Sequence, residues 1–593
     1  MRLDNEWIET DGRGGSCSGT VAGNVHRLCH GLWLPGPAGE SHPRKLLSGF
    51  SLYFRHPEAI VPLTSYWLCG RWNTPDAWPN FESWPAPAWT WEFDGGAALR
   101  MELMMARAGA PGLAIRMHFT PSEERPGLRL FLHPLLPWST PGDVRSRHAT
   151  GFPDETGGNP LWLLSSGPFN ITRDGELLGE IPLSASATGQ NVYTEPLFGG
   201  PRIHLEPPAD RPLLLLLTPE EGEQLPGGLA ESLNAELDRR RTLPAPPVAP
   251  PHQGIAPRLA LALDRHRPAL TRGMWTAWRE DMPPPAQDQP APPPPATPGI
   301  RTLLLAMPAL WPSSTHAAEA LHVLARLRGE LEAAPPANRD ADAECWWADR
   351  VCLYAGDGLS EEDWHFLATH LDAMAGDPLA PPEGTCWSTS HGVPLPEEGA
   401  PLDLLALRAG ALSAGARQAR ARQDEETARR WSEAATRAAA TLNQRTAALL
   451  AASPEPESTP ELPFALAGFL MQENPLEDAQ RSLLLHAIAE KYLTPRGILL
   501  PSPGGPDPFE AYPVLLPAFL RGLGQDNPDI AALHPYAHTV IKDLLYHFEQ
   551  EGCVDQVPAR FAPRRPQKPR GGLASIESLS ALAACLEISI PAG

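Results

Sequence analysis

Six tryptophans, Trp67, Trp72, Trp78, Trp84, Trp89 and Trp91, crowd one short stretch of the chain. Flat aromatic faces are the usual platform for sugar rings, whose axial C–H groups stack on π clouds, and the same residues dominate hydrophobic cores, so core packing is the competing expectation for each. Upstream, Arg27 and His30 lie in a glycine-rich turn, where they could bind a sugar hydroxyl or stabilise the turn and a domain interface. The basic run RFAPRRPQKPR could touch a phosphate or an acidic partner, although a solvated loop accounts for it more simply. Eight cysteines are scattered with no pair at zinc or redox spacing, which predicts reduced, mostly buried thiols and neither a metal cluster nor a disulfide framework.

The elements that must hold these residues change type along the chain. From Trp7 to about Pro219, short apolar segments such as LSGFSLYF, WTWEFDG, LAIRMHF, LRLFLHPLL and RPLLLLLTP alternate with Gly, Pro, Asn and Asp turns, a pattern that predicts a β-sandwich. Between about Arg239 and Gly299, PAPPVAPPHQG and PPPAQDQPAPPPPATPG are too proline-rich for the interior of a helix or sheet, and LALALDRH between them reads as a short helix. From Leu303 onward the apolar spacing becomes helical, as in AAEALHVLARLRGELEAA and EETARRWSEAATRAAATLNQRTAALL. The expected division is 1–240, 241–300 and 301–593. A chain of 593 residues exceeds what one core usually organises, which agrees with two domains.

The formal charge of −22 argues against nucleic acid or an anionic membrane as a general partner and leaves a neutral one such as a sugar open. The polar, acidic start lacks the basic and apolar regions of a signal peptide, and the longest apolar run, around Leu213 to Leu217, is far too short to span a bilayer. A soluble cytoplasmic protein is expected.

The opening EWIETDGRGGSCSGTVAGNVHRLCHGLWL resembles the start of bacterial and archaeal glycogen debranching enzymes, the amylo-α-1,6-glucosidase family. Glu6, Trp7, Gly12, Gly14, Gly15, Ser18, Gly19, Thr20, Gly23, Arg27, His30, Gly31 and Leu32 carry the resemblance, which continues through Phe81, Glu82, Trp89, Thr90 and Glu92. It implies an α+β protein of two domains, an N-terminal β-sandwich leading to a C-terminal (α/α)6 toroid. Hydrolysis of a branch glucose then requires two carboxyl groups, one to protonate the leaving oxygen and one to activate water, about 6.5–9.5 Å apart in an inverting enzyme. Neither a metal nor an organic cofactor is needed for that chemistry.

Laid on the family pattern, the helical half keeps scaffold and loses chemistry. Ile300 and Arg301 stand where the family has Arg-Asp, so a cation replaces an anion, and Thr389 follows the retained Trp387 where the family has a carboxylate. Asp342 and Trp346 match a helix start that holds sugar. Asp403 replaces a proposed catalytic Glu, shortening its reach by one methylene, while Leu405, Arg408, Ala409 and Gly410 replace polar and aromatic pocket residues. Ala511 and Tyr512 are kept without the His-Gln-Gly-Thr that should follow; Phe561, Pro569, Arg570 and Gly571 are kept, but Ala559 falls where the second carboxylate belongs.

The resemblance therefore implies a glycogen or α-glucan metabolism protein, non-catalytic or weakly active, that binds α-glucan or a glycogen-metabolising protein. Asp403 and Asp342 are its candidate catalytic acids, and Trp346, Trp387, Tyr512, Arg27 and His30 its candidate substrate contacts. The alternatives are an active amylo-α-1,6-glucosidase using Asp403 with Asp342, or Asp357 or Glu383 from shifted loops, and a glycosidase acting on another glycan.

Overall fold

The computed structural model describes residues 3–26, 30–35, 44–56, 59–68, 71–75, 78–93, 96–106, 111–121, 129–137, 161–173, 176–184, 192–200, 202–208, 210–220, 224–271, 299–335, 340–356, 358–452, 455–502, 507–523, 530, 532–550, 553, 555–557, 560–561, 569–570 and 575–588. The N-terminal half is antiparallel. One sheet runs in the order Trp162–Ser165, Leu213–Thr218, Leu113–Thr120, Ala98–Met105, Ala88–Glu92, Asn80–Glu82. A second is built around Arg129–Pro137, which pairs with Gly49–His56 on one side and with Arg202–Leu205 and Val192–Gly199 on the other. A four-stranded sheet in chain order (Glu6–Thr10, Ser16–Thr20, Gly31–Leu34, Arg44–Leu47) completes the layers.

Alternation sets the faces. In Ala98–Met105, Leu99, Met101, Leu103 and Met105 enter the core shared by the sheets, while Arg100 and Glu102 face outward. Leu213–Thr218 is apolar on both faces, and both are covered. Leu213, Leu215 and Leu217 join the inter-sheet core, and Leu214 and Leu216 lie under Leu229, Leu233 and Leu237 of helix α1 (Leu229–Arg241). The glycine of the His-Gly-Leu segment is fixed by the same packing: Gly31 has φ of 108°, and a Cβ there would come within 1.9 Å of the Leu47 carbonyl oxygen.

Helix α2 (Ala256–Thr271) lies in the connection, and its Leu259, Ala262, Leu263 and Leu270 belong to the helical core. The helical half continues with α3 (Ile300–Leu310), α4 (Ser313–Ala333), α5 (Ala343–Ala355), α6 (Glu361–Gly376), the single turn α7 (Trp387–Ser390), α8 (Leu402–Ala421), α9 (Glu425–Ala451), α10 (Asp478–Ala487), α11 (Leu516–Leu523), α12 (His534–Gln550) and α13 (Ile576–Glu587). Its inner elements pack in a closed ring: α3 on α5, α5 on α8, α8 on the 3₁₀ run Leu462–Leu470, that run on α11, α11 on α13, and α13 back on α3. A β-sandwich followed by a helical domain is what the strand and helix periodicities predict, and the closed ring agrees with the toroid that the resemblance implies.

The halves are joined by buried charge. Glu9, on the first strand, is wholly enclosed and receives Arg240 of α1 and, at 3.4 Å, Arg265 of α2. Arg265 also reaches Asp555 at 3.7 Å, and Asp555 accepts a 2.8 Å hydrogen bond from Arg258. The Thr10 hydroxyl donates to the Arg265 carbonyl at 2.6 Å, and Arg240 and Arg265 donate to the Pro85 and Ser83 carbonyls. Among the described residues no helix is long and apolar enough to cross a membrane, and Cys17, Cys345, Cys352, Cys386, Cys553 and Cys585 are free and buried.

Glu9→Gln would leave two buried guanidiniums short of charge, so it should cost about 3–5 kcal/mol. Arg241→Ala, which breaks an exposed pair with Asp238, should cost less than about 1 kcal/mol. Equal thermal-unfolding midpoints for the two variants would refute the importance of the buried network.

Candidate functional site

The N-terminal ends of the inner helices bring Arg301, Asp342 and Asp403 together. Arg301, second residue of α3, grips Asp342, the residue that opens α5, with two bonds of 2.8 and 2.7 Å to its two carboxylate oxygens. Its Nη2 also donates to Asp340 at 2.9 Å, and its Nη1 to the Ser390 hydroxyl at 3.1 Å. The Trp346 indole N–H, one turn along α5, donates to Asp342 at 3.3 Å. Asp340 and Thr385 bridge the segments before α5 and α7, the Thr385 hydroxyl donating to Asp340 at 3.0 Å.

Asp403 sits in the first turn of α8 and is tied to α7. One oxygen accepts the Ser388 backbone N–H and the other its hydroxyl, both at 2.8 Å. Asp342 and Asp403 are fully buried, as are Trp346 and Trp387. Burial pushes the Asp403 carboxyl up to about 6, opposed by the Ser388 bonds and reinforced by the Asp342 charge. Burial likewise pushes Asp342 upward, against the Arg301 guanidinium that holds it down. Burial also works against the charge on Arg301, but Asp342, Asp340 and Asp403 outweigh it and its pKa rises.

An aromatic wall flanks this cluster. Trp387 lies edge-on to Trp346 at 6.2 Å and to Phe464 at 6.1 Å, and the His391 ring stacks on Tyr512 at 4.8 Å. Tyr512 is held by the strand pair Gly497–Pro501 and Phe509–Tyr512; Gly497 has φ of 150°, and a Cβ on it would strike the Tyr512 carbonyl at 2.5 Å. His391 and Tyr512 are half-buried, and Ser390 and Thr385 are exposed, so these are the groups a ligand would meet.

Other sequence expectations fall elsewhere. His30 is wholly enclosed: its Nδ1 accepts the His26 backbone N–H at 3.2 Å, so its Nε2 donates to Glu6 at 3.1 Å. That arrangement serves the turn. Trp67, Trp89 and Trp91 are core residues, with the indoles of Trp89 and Trp91 donating to the Val21 and Leu63 carbonyls, whereas Trp78 is 68% exposed. Leu405 is buried in the helical core, and Arg408 turns to the Pro378 and Ala380 carbonyls at 3.2 and 2.6 Å. Glu383 is exposed. Arg27, Asp357, Ala559, Gly571 and most of RFAPRRPQKPR lie outside the described residues. Sequence reasoning missed Ser388, Ser390 and His391, although they follow Trp387 directly in the segment GTCWSTSHG.

The chain is similar in fold to a bacterial glucoamylase solved with acarbose, with a TM-score of 0.53 at 9% identity over 100% of this chain and 95% of that one. A GH92 inverting mannosidase from Bacteroides thetaiotaomicron aligns with a TM-score of 0.34 at 10% identity over 94% of this chain and 81% of that one. The architecture is thus of the glucoamylase kind. No curated protein matches the sequence. Residues 5–197 match the family described as glycogen debranching enzyme N terminal.

The folded carboxyl of Asp403, near 6, exceeds an unfolded aspartate near 3.8. The folded state therefore takes up a proton first, and the stability this confers is present below about pH 4 and lost as pH rises through about 6. Asp403→Asn removes the dependence. Relative to the variant, the native protein should lose on the order of 2–3 kcal/mol between pH 4 and pH 7. Parallel thermal-unfolding profiles across that range would contradict the raised Asp403.

Proposed function

We propose that this chain is a non-catalytic or weakly active relative of the glycogen debranching enzymes, acting in the cytoplasm, that binds α-glucan at the N-terminal mouth of the helical ring. The engagement of both candidate acids carries the reading. Inverting hydrolysis needs one carboxyl free to give a proton and another free to hold water. Asp342 is clamped by both oxygens on Arg301, a cation where the family has an acid. Asp403 spends both oxygens on Ser388 and has no access to solvent. What the mouth offers instead is recognition: the His391–Tyr512 stack for a sugar face, and Ser390, Thr385 and Asp340 for hydroxyls. Partnership with a glycogen-metabolising protein would use the same glucan-bound state.

One observation favours a second reading. A carboxyl near 6 suits a general acid, so Asp403 fits an active amylo-α-1,6-glucosidase or a glycosidase of another glycan if Ser388 releases it.

Glycogen co-sedimentation and glucose release from a limit dextrin with single-glucose α-1,6 branches separate the readings. Binding without release is expected, and Tyr512→Ala should weaken binding about three- to tenfold through lost stacking. Glucose release that disappears in Asp403→Asn would establish the second reading, and failure to bind glycogen would sink the first.

A further inference from the structure

The opposite end of the helical ring holds a different kind of site. There α3, α5, α11 and α13 converge by their C-terminal halves on a cavity of about 270 Å³ walled by Pro246, Pro308, Leu353, Tyr354, Arg521 and Glu587. A hollow of about 40 Å³ adjoins it and shares Pro308 and Arg521. A water occupies about 30 Å³ of liquid, so the larger space has room for a ligand of monosaccharide size.

One cation stands in this wall. Arg521 is half-buried, its charge is favoured by Glu587 at the rim, and no hydrogen bond ties it to a described residue. The neighbouring Arg350 shows what a satisfied cation looks like here: it donates to the Leu304 and Leu470 carbonyls at 3.1 and 3.2 Å and to Asp349 at 2.5 Å. Glu587 is exposed at the rim. The helix C-termini gathered at this end favour a cation, which accounts for an arginine being tolerated. A guanidinium fork is shaped for an oxyanion.

We propose that this cavity binds a small organic oxyanion, with Arg521 gripping the phosphate or carboxylate head and the proline and leucine wall enclosing a body of sugar size. The site is independent of glucan binding at the mouth.

Calorimetric titration with glucose 6-phosphate, gluconate and glucose holds the body nearly constant and changes the head. Native protein should bind at least one of the two anions and bind it more tightly than glucose; which anion binds better identifies the head group. Arg521→Gln should weaken that binding by at least about tenfold, the loss expected of a charge-assisted fork. Its thermal midpoint without ligand should lie close to native, since no hydrogen bond to a described residue is lost, and its glycogen binding should be unchanged. Glu587→Gln, which removes a rim carboxylate, should bind as well as native or better. Absence of binding by both anions, glucose binding as tightly as they do, or undiminished binding by a folded Arg521→Gln variant would each overturn the proposal.

Discussion

The buried carboxylate of Glu9 is the constraint on which the two halves of this molecule turn. It lies on the first strand, and both its cations come from later helices, Arg240 on the helix that covers the sandwich and Arg265 on the helix that enters the toroid core. Moving one domain against the other would expose or strand at least one of these charges, whose desolvation costs several kcal/mol each unless compensated. The backbone confirms the fit at this point: the Asn5 amide donates to the Gln550 carbonyl at 3.0 Å, and Glu6 bridges Cys553. The proline-rich connection therefore is more than a tether, because α2 within it supplies charge to one domain and leucines to the other.

Charge is handled differently at the mouth of the ring. Helix N-termini favour anions, and Asp342 and Asp403 occupy that end of α5 and α8. Arg301 adds a cation from α3, and its bidentate hold turns Asp342 from a group available to a ligand into a structural anion. The clamp also reaches Asp340 and Ser390, so a single residue orders the segments before α5 and at the end of α7.

Periodicity made most of the architecture legible. WTWEFDG overlaps Ala88–Glu92 from Trp89 to Glu92, LAIRMHF lies within Leu113–Thr120, and all but the last residue of AAEALHVLARLRGELEAA falls inside Ser313–Ala333, because each buries one face whose spacing is local. The apolar LPFALAGFL gave no such signal: buried on all sides, it forms a 3₁₀ inner stave of the ring, and nothing in its composition distinguishes faces. The site was legible in its parts and not in its pairings. Asp342, Trp346, Trp387, Asp403 and Tyr512 converge on one end of the ring, but the bond from Arg301 to Asp342 spans 41 positions and that from Ser388 to Asp403 spans 15. Such pairings follow from ring closure, which no local pattern encodes. His30 could be read from the sequence as a sugar contact or as a support of its turn, and its bond to the buried Glu6 across the sheet is a pairing that no local pattern encodes.

The ring and its mouth differ in what a substitution costs. The ring is held by interdigitated side chains such as Trp311, Trp347, Trp431 and Phe519, all at most 1% exposed, and removing any one leaves a cavity costing about 3–5 kcal/mol. A mouth acid touches few neighbours, so replacing it costs little in stability provided the remaining charges can pair. Arg301 provides that pairing for Asp342, and Ser388 provides hydrogen bonds for Asp403. At the same opening stand a half-buried aromatic stack and hydroxyl groups, the surface that the proposed recognition of a neutral, hydroxyl-rich chain would use.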